Sequence, residues 1–542
     1  MCRRRYRNAE RQGRPDSPSG AGDEVAIRTA TVRPLPSRTD DSKGIGMAAT
    51  PEAAAPKAMK SFNLGLIVAV AALAIVLLLP SAQGLPVAGQ RMLAVFCFAV
   101  VIWITEALDY AVSAIVIAAL IAVLLGFSPD VAKPDTLMGT ARGLGTAASG
   151  FANSALILVA AALFLAAAMT ITGLDRRIAL AVLSRVGARA SHVVIGSIVV
   201  ATLLAFIVPS ATARAAAIIP IMMGIIAAFG AEKKSRFAAL LMITTVQAVS
   251  VWNVGIKTAA AQNMVAIGFL QKQLGHDVSW LDWFIAAAPF SLALSIGLYF
   301  IMMWMLPPES KDVPGGHEAV EKSLEAMGPM TGGEKRLLAV SLTLLAVWST
   351  EGVLHRFDSS TTTVIAIALL LLPGVGVMDW KRANPQIPWG TIVLFGVGIS
   401  LGTALLQTQA ASWLAGVAVA WFGLAHLSPL AILAAMGAFL IVIHLGFASA
   451  TALASAMIPI IIAVLQKVET PGLNVVGMTL LLQFVVSFGF ILPVNSPQGM
   501  VAYGTSTFET RDFIRTGIAI TVVAYVLTIA FGATYWRWLG YA

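Results

Sequence analysis

Charged side chains are scarce in this sequence. Only 12% of the 542 residues are Asp, Glu, Lys or Arg, and 58% are hydrophobic, against about 25% and 45–50% in a soluble domain. So little charge cannot solvate a globular surface of this size, which excludes a soluble enzyme and an intrinsically disordered protein. The composition therefore places most of the chain in a lipid bilayer.

Cysteines and catalytic motifs are also scarce. Cys2 and Cys97 are the only two cysteines, one in a basic tail and one in a predicted membrane span, so no disulfide framework is expected. The sequence has no phosphate-binding glycine loop, no His/Cys metal cluster and no nucleophile elbow. We therefore expect a protein that is not an enzyme and that has no cofactor apart from a coupling ion.

The net charge of +9 is unevenly distributed. Residues 1–60 hold 12 basic and 7 acidic residues, so +5 of the total lies in this tail. Tyr6 is the one aromatic residue of the tail. The tail is short and has no series of interleaved aromatic residues of the kind that bind nucleic acid, and we expect a disordered cytoplasmic extension without a nucleic-acid partner. Met47 is an alternative start, because the hydrophobic pattern begins near Ser61.

Long apolar runs make up the rest of the chain. A membrane-spanning helix needs about 20 mostly apolar residues. Uninterrupted runs of this kind cover 63–82, 90–107, 109–127, 154–172, 282–305, 337–354, 361–379, 389–407 and 516–537. Four further runs are broken by small polar residues: 193–229, 237–271, 428–466 and 476–508. Breaks at membrane depth are tolerated where they line a cavity, and paired breaks indicate a transporter site.

The distribution of Lys and Arg predicts the topology. If 193–229 and 428–466 are re-entrant hairpins, the chain crosses the membrane eleven times, and the inner loops hold roughly twice as many Lys and Arg as the outer loops, as the positive-inside rule requires. The N-terminus is then cytoplasmic, and the hairpins enter from opposite faces. The expected units are a tail at 1–60, a first transporter half at 61–305, a cytoplasmic loop at 306–336 and a second transporter half at 337–542.

An internal repeat relates the broken segments. SATARAAAIIPI begins at Ser210 and SATALASAMIPI begins at Ser449, an offset of 449 − 210 = 239. QNMVAIG begins at Gln262 and QGMVAYG at Gln498, an offset of 498 − 262 = 236. Matches in one order at nearly one offset, with an odd number of crossings between the copies, predict the inverted repeat of many secondary transporters.

The breaks have the chemistry of helix starts. Pro209 is expected to end the first half of the first hairpin, and Ser210 and Ser449 are suitable N-caps for the returning halves of the two hairpins. Lys257-Thr258 and Asn495-Ser496-Pro497 are expected to open the second halves of the broken spans. Four helix N-termini would then point at one place and favour an anion there. The alternative is that the small residues only make tight interhelical contacts.

Three basic side chains fall inside broken segments. Lys257 is expected either to anchor an anionic substrate or replace a metal cation, or else to pair with a buried acid or reach the interface. Arg214 lies one turn after Ser210 and either holds a carboxylate through two hydrogen bonds or lines the cytoplasmic side of the hairpin. His444 is more typical of a structural hydrogen-bonding residue than of a proton relay.

These motifs together resemble the divalent anion:sodium symporter (DASS) family of dicarboxylate, tricarboxylate and sulfate carriers. The resemblance runs from about Gln90 to Tyr541 and rests on WITEALDYAVSA, TGLDRRIA, the paired SAT motifs, GISLGTAL and LPVNSPQGMVAYG followed by RDF. The SATAR run most resembles the oxoglutarate/malate and citrate exchanger branch. The resemblance implies a homodimer in which a hairpin-bearing domain carries the substrate across a scaffold by an elevator-like motion. The first three spans and 337–379 would form that scaffold.

The sequence departs from the family at both hairpin tips. Ala211 and Ala450 stand where the family has asparagines that help bind sodium and the substrate carboxylate. The breaks and the resemblance predict substrate contacts at Ser210, Thr212, Arg214, Lys257, Thr258, Asn263, Ser449, Thr451, Asn495, Ser496 and Gln498. Candidate sodium ligands are Ser210, Asn253, Gly255 and Ser449. Because both amides are missing, we expect exchange, or coupling to H⁺ or to fewer Na⁺ ions.

The sequence therefore predicts an all-α polytopic inner-membrane carrier of di- or tricarboxylates such as malate, succinate, 2-oxoglutarate or citrate. A sulfate or other inorganic anion permease of the same family is the alternative. A cation antiporter or arsenite-type permease is disfavoured, because the broken segments contain no Asp or Glu. A membrane sensor with the tail as its output is the alternative of another class.

Overall fold

The computed structural model describes residues 64–187, 189–230, 232, 234–312, 315–468 and 470–542. The predicted N-terminal tail lies outside the described residues. All regular structure in the described residues is helical apart from isolated β-bridges. Nine of the described helices are long and apolar enough to cross a membrane. This confirms the all-α polytopic prediction.

The first half begins with scaffold helices and continues with a set that recurs later. The scaffold helices are α1 (Leu64–Leu78), α2 (Val87–Thr105), α3 (Tyr110–Gly126) and α4 (Thr140–Ala148). The first copy comprises α5 (Ser154–Thr172), α6 (Leu174–Leu183), α7 (Ala190–Ile207), α8 (Ala211–Ala228), α9 (Arg236–Gly255), α10 (Ala261–Leu274) and α11 (Trp280–Met305).

The second half has the same order. The connecting and scaffold helices are α12 (Gly316–Ala326), α13 (Gly332–Ser349), α14 (Ser359–Leu371) and α15 (Trp380–Ala383). The second copy comprises α16 (Trp389–Gln407), α17 (Ala410–Phe422), α18 (Pro429–His444), α19 (Ala450–Lys467), α20 (Val475–Val486), α21 (Pro497–Tyr503) and α22 (Thr510–Ala533), and α23 (Tyr535–Trp538) follows it.

Each helix from α5 to α11 has a counterpart from α16 to α22. The starts of α8 and α19 differ by 450 − 211 = 239 residues, and those of α10 and α21 by 497 − 261 = 236, the offsets of the sequence repeat. The copies are interlocked, because α10 packs against α19 and α21 packs against α8. This exchange of partners is what a twofold relation between the copies produces.

Several helix ends differ from the predicted spans for local reasons. Helix α13 begins five residues before the predicted 337, because Thr331 and Glu334 form a capping box there. Helix α14 ends at Leu371 rather than 379, because the backbone of Leu372 is extended before Pro373. The short helices α4, α6, α12 and α17 were not predicted, because none has a membrane-length apolar run.

Candidate functional site

Four chain breaks converge on one central cavity of about 410 Å³. The lining includes residues from both hairpin tips, from both broken spans and from the scaffold side. The tips contribute Pro209, Ser210, Ala211, Thr212, Ala213, Ser449, Ala450 and Thr451, and the broken spans contribute Asn253, Ala260, Ala261, Gln262, Ser487, Gly489, Asn495, Ser496, Pro497 and Gln498. The convergence expected from the sequence therefore exists in the fold.

The two hairpin tips have matching geometry. Ser210 and Ser449 are both in extended conformation, and each hydroxyl accepts the backbone N–H three residues on, over 3.3 Å, as an N-cap does. The next two residues of each helix have no intrahelical acceptor for their N–H groups, as at every helix start. Both tips therefore present unpaired backbone donors and a partial positive charge to the cavity.

The broken spans restart differently from each other. Pro497 occupies the first turn of α21, and the Ser496 hydroxyl accepts the Gly499 N–H over 3.3 Å, as predicted. Helix α10, however, begins at Ala261 and not at Lys257-Thr258. Lys257–Ala259 form a separate 3₁₀ turn, and the backbone becomes extended at Ala260 before the helix starts. The prediction that Lys257 opens this half-helix was wrong.

The side chains that line the cavity are uncharged, and hydroxyl and amide groups alternate there with small apolar side chains. Gln262 and Gln498 occupy equivalent positions of the two copies, and each amide donates to a serine hydroxyl of the opposite copy, at Ser487 over 3.4 Å and at Ser250 over 2.9 Å. Among the described lining residues none carries a formal charge. An anion in this cavity would be held by helix starts, hydroxyls and amides.

Arg214 is buried behind the first tip and does not line the cavity. Its side chain is 0% exposed, and Nη2 donates to Asn253 Oδ1 and, over 3.0 Å, to the Ala259 carbonyl. Its Nε and Nη1 have no hydrogen-bond partner among the described residues. The guanidinium thus lies between the first tip and the first broken span, with Asn253 between it and the cavity. This position differs from both predicted ones, which were direct contact with a substrate carboxylate and the cytoplasmic side of the hairpin.

The carbonyl oxygens of the first break already accept protein donors. Asn263 Nδ2 donates to the carbonyls of Asn253, Ile256 and Lys257, over 2.7, 3.2 and 3.3 Å. Trp283 Nε1 donates to the Val254 carbonyl over 2.9 Å. Asn263 itself is fully buried and fastens the break from behind, so the structure does not place it at the cavity.

Two further predicted residues of the first break lie away from the cavity. Thr258 is buried in the 3₁₀ turn and is absent from the cavity lining. A Cβ at Gly255 would lie 2.8 Å from the Trp252 ring and 3.0 Å from the Ser291 hydroxyl, so the glycine permits close helix packing there. Neither position supports the predicted role in substrate or sodium binding.

Lys257 lines a second, separate cavity of about 870 Å³. Its Nζ donates to the Val278 carbonyl over 2.7 Å, and the residue is 5% exposed. Four carboxylates line the same cavity: Asp277, Asp282, Glu351 and Asp358. The ammonium therefore faces acids rather than the four helix starts. The position of Lys257 does not support a direct anchor at the central cavity. It also differs from the predicted pair with a buried acid, because the acids of this cavity are exposed or half-buried and the Lys257 ammonium donates to a carbonyl.

The scaffold contributes residues that the sequence reasoning missed. Tyr110 of α3 lines the central cavity, and its hydroxyl donates to Glu106 over 3.1 Å. Gln386, in the 3₁₀ turn before the second copy, lines it as well, and so does Thr391 in the first turn of α16. Gln262 could have been found, because it heads the repeated QNMVAIG motif. Tyr110 lies in the WITEALDY run, but only the fold brings that run to the site.

The match to a protein family covers nearly the whole chain. Residues 60–542 match the family described as "Sodium:sulfate symporter transmembrane region". The chain belongs to the sodium:sulfate symporter family. This confirms the resemblance to DASS carriers, and the protein is a secondary transporter of anions and not an enzyme. The family match does not decide between the branches.

Three individual proteins are similar to this chain over most of their length. A "Membrane protein" of Cupriavidus necator is 55% identical over 491 residues, covering 90% of this chain and 95% of its own. The "L-tartrate/succinate antiporter" of Escherichia coli K12 is 29% identical over 472 residues, covering 85% and 95%. The solved structure of the Alcanivorax borkumensis YdaH transporter matches with a TM-score of 0.50 and 12% identity over 78% of this chain and 97% of its own. That likeness concerns the fold.

Proposed function

We propose that this protein exchanges small organic dianions across the bacterial inner membrane. The observation that carries the proposal is the convergence of four helix starts on one cavity that is lined by uncharged side chains, among them several hydroxyls and amides. Helix N-termini complement a carboxylate at each end of a short dicarboxylate. The printed name of the Escherichia coli relative, an L-tartrate/succinate antiporter, favours the same substrate class and the same mode of transport.

Arg214 supports exchange over sodium symport. A guanidinium remains charged at every physiological pH, so it supplies a fixed positive charge that does not leave with the substrate. The carbonyls of the first break, where a cation would bind, already accept protein donors, and Ala211 and Ala450 provide no amide oxygen. A carrier whose empty site keeps its positive charge is expected to return loaded with a second anion.

Orientation, movement and assembly are further parts of the proposal. The excess of Lys and Arg on the predicted inner loops supports a cytoplasmic N-terminus. The cavity lies between both repeat copies and scaffold residues such as Tyr110, which suits an elevator-like motion of the copies against the scaffold. The homodimer rests on the family resemblance alone.

Sulfate is the second candidate substrate, and the family description favours it. Sulfate also has charge −2 and would satisfy the same helix starts. The two substrates differ in length, because sulfate presents all its oxygens at one centre and a dicarboxylate spans two. A cavity bounded by helix starts on both sides suits the longer anion.

A counterflow experiment tests the proposal. Purified full-length protein is reconstituted in liposomes preloaded with unlabelled succinate, and uptake of labelled succinate is measured with and without external Na⁺, an imposed pH gradient or a valinomycin potential. Dianion-for-dianion exchange moves no net charge. Uptake should require internal anion and should not respond to Na⁺ or to voltage.

The same vesicles distinguish the alternatives. Competition by tartrate, malate, 2-oxoglutarate, citrate and sulfate ranks the substrates. Uptake into empty vesicles that needs Na⁺ and rises with an inside-negative potential would contradict exchange. Sulfate as the sole competitor would transfer the proposal to the inorganic-anion alternative.

A further inference from the structure

We propose that a fatty-acyl chain of a membrane lipid occupies an apolar cleft in the second repeat and braces the second hairpin. The cleft measures about 400 Å³ and lies between α2, α17 and the two hairpin arms α18 and α19. Every residue of its lining is apolar. Representative ones are Phe96, Leu414, Met436, Met457 and Ile461. The cleft is separate from the central cavity.

The first repeat shows what fills the equivalent space. The positions of α19 that line the cleft correspond to positions of α8 that lie 239 residues earlier. The α19 residues are Met457, Ile460, Ile461 and Val464, and their α8 counterparts are Ile218, Ile221, Met222 and Ile225. In the first copy the short helix α12 packs against both α6 and α8, and its Val320 is 3% exposed. A protein helix therefore covers the first groove.

In the described part of the second copy, α2 packs against both α17 and α19, but over fewer residues than α12 covers in the first copy, and the cleft remains between these helices. The rim of the cleft is instead open and hydrophobic: Phe422 is 65% exposed, Phe439 is 44% exposed, and the neighbouring Trp421 and Val442 are 85% and 67% exposed. Such an opening on a membrane helix faces hydrocarbon and not water. The bilayer itself is the available source of an occupant.

The size of the cleft selects the occupant. An apolar cavity of about 150 Å³ stays dry and accepts a six-carbon benzene ring, so 400 Å³ has room for on the order of 16 carbon atoms. That is the size of one acyl chain and is too small for an α-helix, whose diameter with side chains is about 10 Å. The absence of polar lining atoms excludes ordered water and the lipid headgroup from its interior.

An acyl chain here would act on the transport site. The two arms that line the cleft meet at the second tip, since α18 ends at His444 and α19 begins at Ala450. Ser449, the N-cap between them, lines the central cavity. An acyl chain bound between the two arms would keep them apart and would fix the position of the second tip. The transport rate should therefore depend on the length of the lipid acyl chains.

Photo-crosslinking tests the proposal without relying on transport. Full-length protein is reconstituted with phosphatidylcholine that carries a diazirine at mid-chain, irradiated, and mapped by mass spectrometry. The cleft-filling variant is Ala418→Trp, because Ala418 of α17 lines the cleft. Ala420→Trp is the matched control, because Ala420 is on the same helix, exposed and outside the cleft lining.

We expect label on the peptides that contain Met436 and Met457, and a loss of at least fivefold in Ala418→Trp but not in Ala420→Trp. Label near the exposed Leu292 of α11 should stay constant. Equal cleft labelling in both variants would overturn the proposal. So would cleft peptides without label while the Leu292 peptide is labelled, because protein and not lipid would then cover the cleft. If Ala418→Trp does not fold, the wild-type protein is labelled in the presence of unlabelled competitor lipids. A decrease in cleft labelling with long-chain but not with short-chain lipid would support the proposal, and equal labelling with both would contradict it.

Discussion

Removal of the Arg214 guanidinium should weaken dianion binding more than any other single change near the site. The charge lies one side chain behind the cavity, through its bond to Asn253. For a separation on the order of 8 Å and an effective dielectric constant of about 20, attraction of a dianion is about 4 kcal/mol. Each 1.4 kcal/mol is tenfold in affinity, so Arg214→Ala should weaken binding by roughly 100- to 1,000-fold.

The assay needs controls for charge and for folding. Arg214→Lys keeps a cation and should retain most of the affinity. Lys467→Ala removes one positive charge from the far end of α19, 18 residues from the second tip, which is about 27 Å of helix and several screening lengths away. It should have little effect. Binding is measured by the rise in melting temperature with succinate concentration.

Arg214→Ala is also expected to reduce stability. The buried Asn253 oxygen and the Ala259 carbonyl would each lose a donor, at about 1–3 kcal/mol for each group left unpaired. The melting temperature without ligand reports this separately from affinity. If Arg214→Ala folds and binds succinate within threefold of the wild type, the buried charge does not act on the substrate, and the argument for exchange loses its main support.

Three further changes follow from the same contacts. Ser210→Ala removes an N-cap at the first tip and should cost about 1 kcal/mol in the free energy of unfolding, with Ser210→Thr as the conservative control. Lys257→Met removes the charge from the second cavity and should leave the succinate affinity of the central cavity unchanged; a tenfold loss would contradict the separation of the cavities. In the loop after α3, the Ala132 backbone N–H and the Arg142 guanidinium hold the pKa of Asp130 below its usual value. The stability this provides is present above the unfolded pKa of about 3.9 and is lost as the pH falls through the folded pKa, so Asp130→Asn should flatten the melting profile below pH 4.

The parts of the site that sequence predicted are those set by local chemistry. Proline and serine act within a few residues of their own position. For that reason Pro209 with Ser210, Ser449, and Ser496 with Pro497 placed three of the four helix starts correctly. The repeat then implied that the starts would meet. The long apolar helices were also predictable, since their length depends on membrane thickness and not on packing.

The parts that sequence missed depend on side-chain direction and on distant segments. Lys257 and Asn253 are four residues apart, yet one lines the acidic cavity and the other the central one, because a 3₁₀ turn follows α9. No local signal fixes which way that turn points. Tyr110 reaches the cavity from a scaffold helix, and its place depends on contacts across the whole fold.

The two copies of the repeat fasten their breaks by opposite means, and this makes the site asymmetric. Asn495 donates to the His444 and Phe447 carbonyls, over 2.9 and 2.8 Å, so the second broken span holds its own hairpin through a neutral amide. Its counterpart, 495 − 259 = 236 residues earlier, is Ala259, which has no donor side chain.

In the first copy the hairpin supplies the donor instead. Arg214 donates to the Ala259 carbonyl, and its own counterpart, 453 − 214 = 239 residues later, is Leu453. The hydrogen bond that joins each hairpin to its broken span is therefore donated by a cationic side chain in the first copy and by a neutral amide in the second. A symmetric dianion would meet a more positive field at its first-repeat end, so a substrate with two unlike ends should bind with the more anionic end towards Arg214.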